Sequence, residues 1–227
     1  IDTYHGTARF EDAHTISIDN EPVTITAESI VIATGARPKK LPVAGGELAS
    51  NSDAFLELEE LPESLIFIGG GYISLEFAFI AGLSGSKVTI LQRGNRLLPQ
   101  FPVSIVDPVI EKAQDYDITV RTGVEITGIK SDGKKLQVET EASNLISGDF
   151  VMAAIGREPN IEALQLDKAG VEYTREGIKV DDSMRTSAAH IYAIGDCITS
   201  KQLSPLSDME AKTAAANIIG PGPTEAD

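Results

Sequence analysis

Between residues 1 and 35, apolar and polar positions alternate in short runs. GTARFED, TISID and VTITA follow one another closely and predict an antiparallel β region; SIVIATGARP is continuously apolar up to Thr34 and Gly35 and reads as a buried strand. From Arg37 to Phe55 the pattern dissolves into Pro, Gly and Ser, which marks a connection. At Leu65 the periodicity changes. Leu65 to Ile68 is an apolar run suited to a buried parallel strand, three glycines break it, and apolar residues then recur at helical spacing (Ile73, Phe77, Ile80; Leu75, Phe79) to about Leu83. GSKVTILQR predicts a second strand, residues Ser104 to Ala113 a helix, and ITVRT another short strand. VEITGIK and KLQVETE flank a turn at Ser131, Asp132 and Gly133, as a hairpin does, and GDFVMAAIG closes that region with a buried strand. Residues 157 to 196 return to short loops and strands ending at HIYAIGDC. A helix is expected from about Asp208 to Ile218, then a disordered tail at 221–227. The pattern is α/β.

The strand–glycine–helix segment LIFIGGGYISLEFA carries the first candidate chemistry. Gly69 and Gly71 occupy the first two positions of G-x-G-x-x-G, where one permits a tight turn and the other lets the backbone approach a pyrophosphate. Ser74 holds the third position, and its hydroxyl is expected to bond back to the carbonyl four residues earlier. The amides of Gly71, Tyr72 and Ile73 open the helix, where the dipole and unpaired N–H groups favour an anion. Such turns are also common without a ligand. A weak internal echo adds to it: ATGARP (33–38), AIGREP (154–159) and AIGD (193–196) are three apolar runs closing on Ala-x-Gly.

Charge and cysteine content narrow the partners. With 19 Lys and Arg against 34 Asp and Glu, the formal charge is −15, which disfavours nucleic acid and an anionic membrane surface as partners. The apolar stretch Leu65–Leu83 is interrupted by three glycines and carries Glu76, so it does not read as a membrane span. A soluble, cytoplasmic chain is expected. The single cysteine, Cys197, excludes an intrachain disulfide, and alone it reads as a small core residue. His5, His14 and His190 are spaced too irregularly for a metal site, so no metal is expected.

The ordered set ATGARP, GGGYISLEFA, AIGREPN and TSAAHIYAIGD resembles the FAD-dependent pyridine nucleotide-disulfide oxidoreductases, the family of glutathione reductase, dihydrolipoamide dehydrogenase and mercuric reductase. The resemblance runs from about residue 1 to residue 220. It implies a Rossmann-like NAD(P)-binding domain at 63–156, inserted between pieces of an incomplete FAD-binding domain at 1–62 and 157–220. It further implies a homodimeric parent enzyme in which a nicotinamide reduces FAD and the flavin reduces a cysteine pair. The family's own FAD glycine fingerprint, its C-x4-C pair and its His–Glu pair do not occur in this sequence, so it resembles the centre of such an enzyme and no catalytic residue is assigned. A flavin NADH oxidase or ferredoxin-reductase-like enzyme, and a module that only binds nucleotide, stay open as alternatives.

Residue by residue, the resemblance places Tyr72 as an aromatic lid over the flavin, or as a tyrosine packing on the fold. It sets Glu76, one helical turn on, beside the nicotinamide; an acid early in a helix is the plainer reading. Thr34 and Gly35 match a strand end beside FAD, or a plain strand end. Asp196 matches an aspartate that takes a ribityl hydroxyl, or caps the next segment. Gly156 and Arg157 fall at the expected domain crossing, where Arg157 meets either nucleotide or only a surface carboxylate. About 20 residues past the first glycines, the position of the acidic residue of NAD-binding members is held by Gln92, which repels no 2′-phosphate. Arg93 matches a phosphate-binding arginine of glutathione reductase, and Arg96 stands near the second, whose aligned place is Pro99. NADPH is therefore expected, with NADH as the alternative.

Overall fold

The computed structural model describes residues 1–220, so the tail expected at 221–227 lies outside the described residues. In chain order the first segment forms β1 (Ala8–Phe10), β2 (Thr15–Ile18), β3 (Thr24–Thr26), β4 (Ile30–Ile32) and β5 (Ala36–Pro38). The middle forms α1 (Ser52–Leu56), β6 (Ser64–Ile68), α2 (Tyr72–Leu83), β7 (Lys87–Gln92), α3 (Val103–Ala113), β8 (Ile118–Thr122), β9 (Ile126–Ser131), β10 (Leu136–Thr140), β11 (Leu145–Gly148) and β12 (Phe150–Ala153). The return forms β13 (Arg157–Pro159), β14 (Tyr173–Thr174), β15 (Gly177–Ile178), β16 (Ile191–Ala193) and α4 (Ser204–Ile219). Two compact units result, residues 1–37 with 157 onward, and Pro38–Gly156.

The second unit is a three-layer α/β sandwich, and its sequence pattern explains each layer. Strands β12, β6, β7 and β8 lie in that order, all parallel. A parallel sheet is covered on both faces, so its strands are apolar without interruption. In β6, Leu65 and Phe67 pack with Leu75, Ala78 and Ala81 of α2 and Val106 of α3; Ile66 and Ile68 point the other way, into Ile129 and Val138 of the antiparallel β9–β10–β11 sheet. Phe67 is wholly buried, worth about 2–3 kcal/mol by area. The predicted hairpin is thus a three-stranded meander.

The boundary expected at residue 62 falls instead between Arg37 and Pro38. The reason is packing. Leu41, Val43 and Ala49 lean on the meander side of the core and Phe55 is buried on the helical side. Ser50 donates its N–H to Val151 and accepts from Ala153 at 2.8 and 2.9 Å, prolonging the sheet past β12. The Pro- and Gly-rich connection also contains α1, whose cap Asn51 accepts the Ala54 N–H at 2.9 Å. The two ends of the unit are tied by the Lys39 N–H donating to the Gly156 carbonyl at 3.0 Å.

In the first unit, β1–β2–β3 form an antiparallel meander, and β4 pairs in parallel with β16, Ile30 opposite Ile191. Phe10, Ile30, Ile32, Ile178, Ile191 and Cys197 share its core. The single strand expected over SIVIATGARP is two. It stops at Ile32, Gly35 at φ 64 turns the chain, and β5 pairs with β13. His14 and His190 stack at 4.0 Å, with His190 Nε2 2.7 Å from the Ala13 carbonyl.

Candidate functional site

In the second unit the candidate site is the turn between β6 and α2. Its three glycines do different things. Gly69 has φ 114, and a Cβ there would sit 2.4 Å from the Ala154 carbonyl oxygen, so the residue must be glycine for the strands to close. Gly70 is hemmed in by Gln92 and Leu97, whose atoms would lie 3.0–3.1 Å from a Cβ. Gly71, the residue before α2, has an ordinary φ of −85, and a Cβ on it would meet nothing within 4 Å. Among the described residues no side chain caps this helix, so the N–H groups of its first turn, beside Gly71, lack a side-chain partner. The turn can cradle an anion, and its open side is where a Cβ would stand in an anion's place.

Tyr72 (52% exposed) and Glu76 both lie on the solvent face of α2, one turn apart; among the described residues Glu76 has no ion-pair partner. Ser74 differs from expectation. It is buried, but its hydroxyl has no hydrogen-bond partner, so the bond back to residue 70 is not made. The Gly70 carbonyl is taken instead by the Leu98 N–H at 2.9 Å. Gln92 reaches the same turn, its Oε1 accepting the Gly70 N–H at 3.0 Å.

The two arginines part company. Arg93 extends into solvent, 83% exposed, its nearest acid Glu125 at 4.0 Å, a spacing of little energetic weight. Arg96, expected near the second phosphate-binding position, turns back onto the carbonyls of Pro99 (2.9 Å), Leu98 (3.4 Å) and Phe101. Such a folded-back group is occupied with backbone. The same holds for Arg157, which among the described residues meets no surface carboxylate but donates to the Ala36 carbonyl at 2.6 Å, bracing β5 against β13. Gly156, at φ 105, is exposed and accepts from Lys39.

The first unit holds a second candidate site. Because β4 and β16 run in parallel with Ile32 opposite Ala193, the segments Ala33–Gly35 and Ile194–Asp196 leave the sheet side by side, at carboxyl ends where α/β proteins place ligands. Gly35, Gly195 and Asp196 border a cleft of about 420 Å3 that also meets Ser204 and Ser207 at the start of α4. Thr34 is exposed beside it, its carbonyl 3.4 Å from the Asn160 amide. Glu210 of α4, 2% exposed, accepts the Gly195 N–H at 2.7 Å and fixes this turn. Sequence reasoning missed Glu210; an acid at helical spacing from Thr213, Ala214 and Asn217 was its only signal. Cys197 follows Asp196 but points inward, its thiol 3.2 Å from the Ile194 carbonyl.

Among the described residues no cluster of His, Cys, Asp and Glu could hold a metal ion, and no helix is long and apolar enough to cross a membrane. Three comparisons place the chain. It is 33% identical over 228 residues to a dihydrolipoyl dehydrogenase of Bacillus subtilis (strain 168), covering 97% of this chain and 48% of that protein. It is 33% identical over 221 residues to a glutathione reductase of Burkholderia cepacia, covering 97% of this chain and 49% of the relative. Among solved structures, the HOCl-induced flavoprotein disulfide reductase RclA from Escherichia coli superimposes with a TM-score of 0.93 at 29% identity, over 100% of this chain and 52% of that one. The chain spans about half the length of the relatives it matches. The profile of the family described as pyridine nucleotide-disulphide oxidoreductase matches residues 1–217, and to that family the chain belongs.

Proposed function

We propose that the second unit binds a nicotinamide dinucleotide, with the pyrophosphate against the amides of Gly71, Tyr72 and Ile73, in a protein that reduces a disulfide or related sulfur substrate through FAD. One observation carries this reading: Gly69 must be glycine to fold, whereas Gly71 need not be, and its missing Cβ opens space beside an uncapped helix start. Nothing in the fold uses that space, and a pyrophosphate would. Ser74 lets the helix pack onto the strand, Tyr72 covers the nicotinamide side, and Glu76 stands one turn further along the same exposed face.

In the first unit, Thr34, Gly35 and Asp196 would hold part of FAD at the mouth of the cleft, Asp196 accepting a ribityl hydroxyl. The flavin, when bound, supplies two-electron transfer between nicotinamide and a cysteine pair. Gly156 and Arg157 keep the ends of β12 and β13 in place; Arg157 acts on backbone. Relatives bearing two different substrate names match at the same identity, so the sulfur substrate is left at its class, and a homodimeric parent belongs to this proposal.

For the cofactor we infer NADPH, with NADH as the alternative. Gln92 puts no charge at the 2′ end, and Arg93 is the free guanidinium beside it; Arg96 no longer supports the assignment. Calorimetric titration of wild type and Arg93→Ala with NADPH and NADH tests both levels. Loss of one charge-assisted phosphate contact, about 1.5–3 kcal/mol, weakens NADPH ten- to a hundredfold and leaves NADH unchanged. Equal weakening of both refutes the 2′-phosphate contact, and no binding of either refutes the dinucleotide reading.

A further inference from the structure

Both peptide groups of Gly70 are committed to the loop that follows β7. Its N–H donates to Gln92 Oε1 at 3.0 Å and its carbonyl accepts from the Leu98 N–H at 2.9 Å. Gln92 continues the connection, Nε2 donating to the Arg96 carbonyl at 3.3 Å. Arg96 then returns its guanidinium to the carbonyls of Leu98, Pro99 and Phe101. The packing is as closed as the bonding. Leu97 is wholly buried, Leu98 adopts φ 44, and Gln92 Nε2 would lie 3.1 Å from a Cβ on Gly94. A non-glycine residue at a left-handed φ persists only where its surroundings hold it.

We propose that Gln92 and Arg96 are positioning residues for the nucleotide site: together they clamp the middle glycine of the turn to residues 96–101, so that the cradle of Gly71–Ile73 is fixed before any ligand arrives. The inference rests on the dinucleotide reading of that turn and deepens it. Gln92 turns its Oε1 to Gly70 and an Nε2 hydrogen to Arg96, so its carboxamide is oriented toward the turn. Its contribution is the same whether the 2′ position carries hydroxyl or phosphate. A preformed site avoids the ordering cost that a loose glycine loop would add on binding.

The test combines hydrogen exchange with titration. In Gln92→Leu, of similar bulk but without the carboxamide, the Gly70 amide should exchange at least tenfold faster while amides of β6 and β7 exchange as before. The Kd for NADPH and for NADH should rise by one common factor, about five- to tenfold. Gln92→Glu keeps an acceptor for Gly70, so its Gly70 amide should stay protected and its NADH affinity stay within about threefold of wild type. Unchanged Gly70 exchange or unchanged affinities in Gln92→Leu overturn the proposal. So does weakening of one cofactor alone, which would mean that Gln92 touches the 2′ end directly. If Gln92→Leu fails to fold, Gln92→Glu decides, and loss of Gly70 protection there is the overturning result. No binding by the unaltered protein overturns the functional reading, and this proposal with it. Binding by the unaltered protein, with Gly70 exchange indifferent to residue 92, overturns this proposal alone.

Discussion

Two single-methyl substitutions, two residues apart, should separate folding from binding. In Gly69→Ala the new Cβ enters a backbone at φ 114 and lies 2.4 Å from the Ala154 carbonyl oxygen. The dihedral alone costs about 1–3 kcal/mol for an L-residue. Relieving the overlap moves backbone at the end of β12, for a further 1–3 kcal/mol or so. The sum, about 2–6 kcal/mol, is a large share of a domain's stability. In Gly71→Ala the φ of −85 suits alanine and the Cβ meets nothing. A gain of about 0.4–1 kcal/mol from a stiffer unfolded chain is offset by alanine's poorer capping, so stability should move by less than about 1 kcal/mol. Binding reverses the order. A methyl in the cradle displaces a pyrophosphate from charge-assisted amide contacts, and losing one or two of them weakens either nicotinamide dinucleotide at least tenfold. Urea unfolding followed by circular dichroism suits a chain without tryptophan, and calorimetry reads the affinity. Native affinity in Gly71→Ala would falsify the cradle, and native stability in Gly69→Ala would refute the account of the turn.

Other consequences concern stability. The hydroxyl of Ser64 and then the Lys135 ammonium hold the Asp149 carboxyl below its usual value of 3.8. A depressed native pKa stabilises the fold fully above the unfolded value and loses that contribution as pH falls through the native one. Asp149→Asn should therefore cost about 1 kcal/mol at pH 7 and progressively less below pH 3.8, read as converging urea midpoints. Cys197→Ala should cost about 1–2 kcal/mol, as a small core truncation does, and leave nucleotide affinity untouched; weakened binding in a stable variant would give the thiol a role at the site.

Much of this was legible from pattern, and each miss has its own physical cause. The parallel strands β6, β7 and β12 announce themselves as apolar runs, and α2 by its spacing, because burial on both faces leaves few polar positions. β11 escaped because Leu145 is exposed and the strand ends on a glycine. α4 begins four residues before the expected Asp208, Pro205 lying in its first turn, where a missing N–H costs nothing. At the site, residue types pointed to the glycine turn, but not to where long side chains end. Arg93 and Arg96 look alike in sequence; only the path of residues 96–101 shows that one guanidinium is free and the other surrounded by carbonyls. Ser74 fails in the same way, since a serine's bond to the preceding turn depends on whether another group already holds that carbonyl.

The tie between Lys39 and Gly156 bears on how the chain assembles in time. Strands β4 and β16 are neighbours in space but are separated by a loop of roughly 160 residues that contains the whole middle unit. While that unit is unfolded, bringing Ile30 to Ile191 means closing the full loop. Once it has folded, its two ends sit one hydrogen bond apart, and the effective loop shrinks to roughly 40 residues, those before Pro38 and after Gly156. At about 0.6 kcal/mol per doubling of length, some two doublings amount to roughly 1 kcal/mol of closure entropy removed from the later step. A middle unit that folds first thus lowers the cost of forming the β4–β16 pair. Destabilising it with Val151→Ala should slow the appearance of protection at Ile32 and Ala193 in pulsed hydrogen exchange, although neither residue belongs to that unit. Unchanged rates there would show that the two units fold without regard to each other.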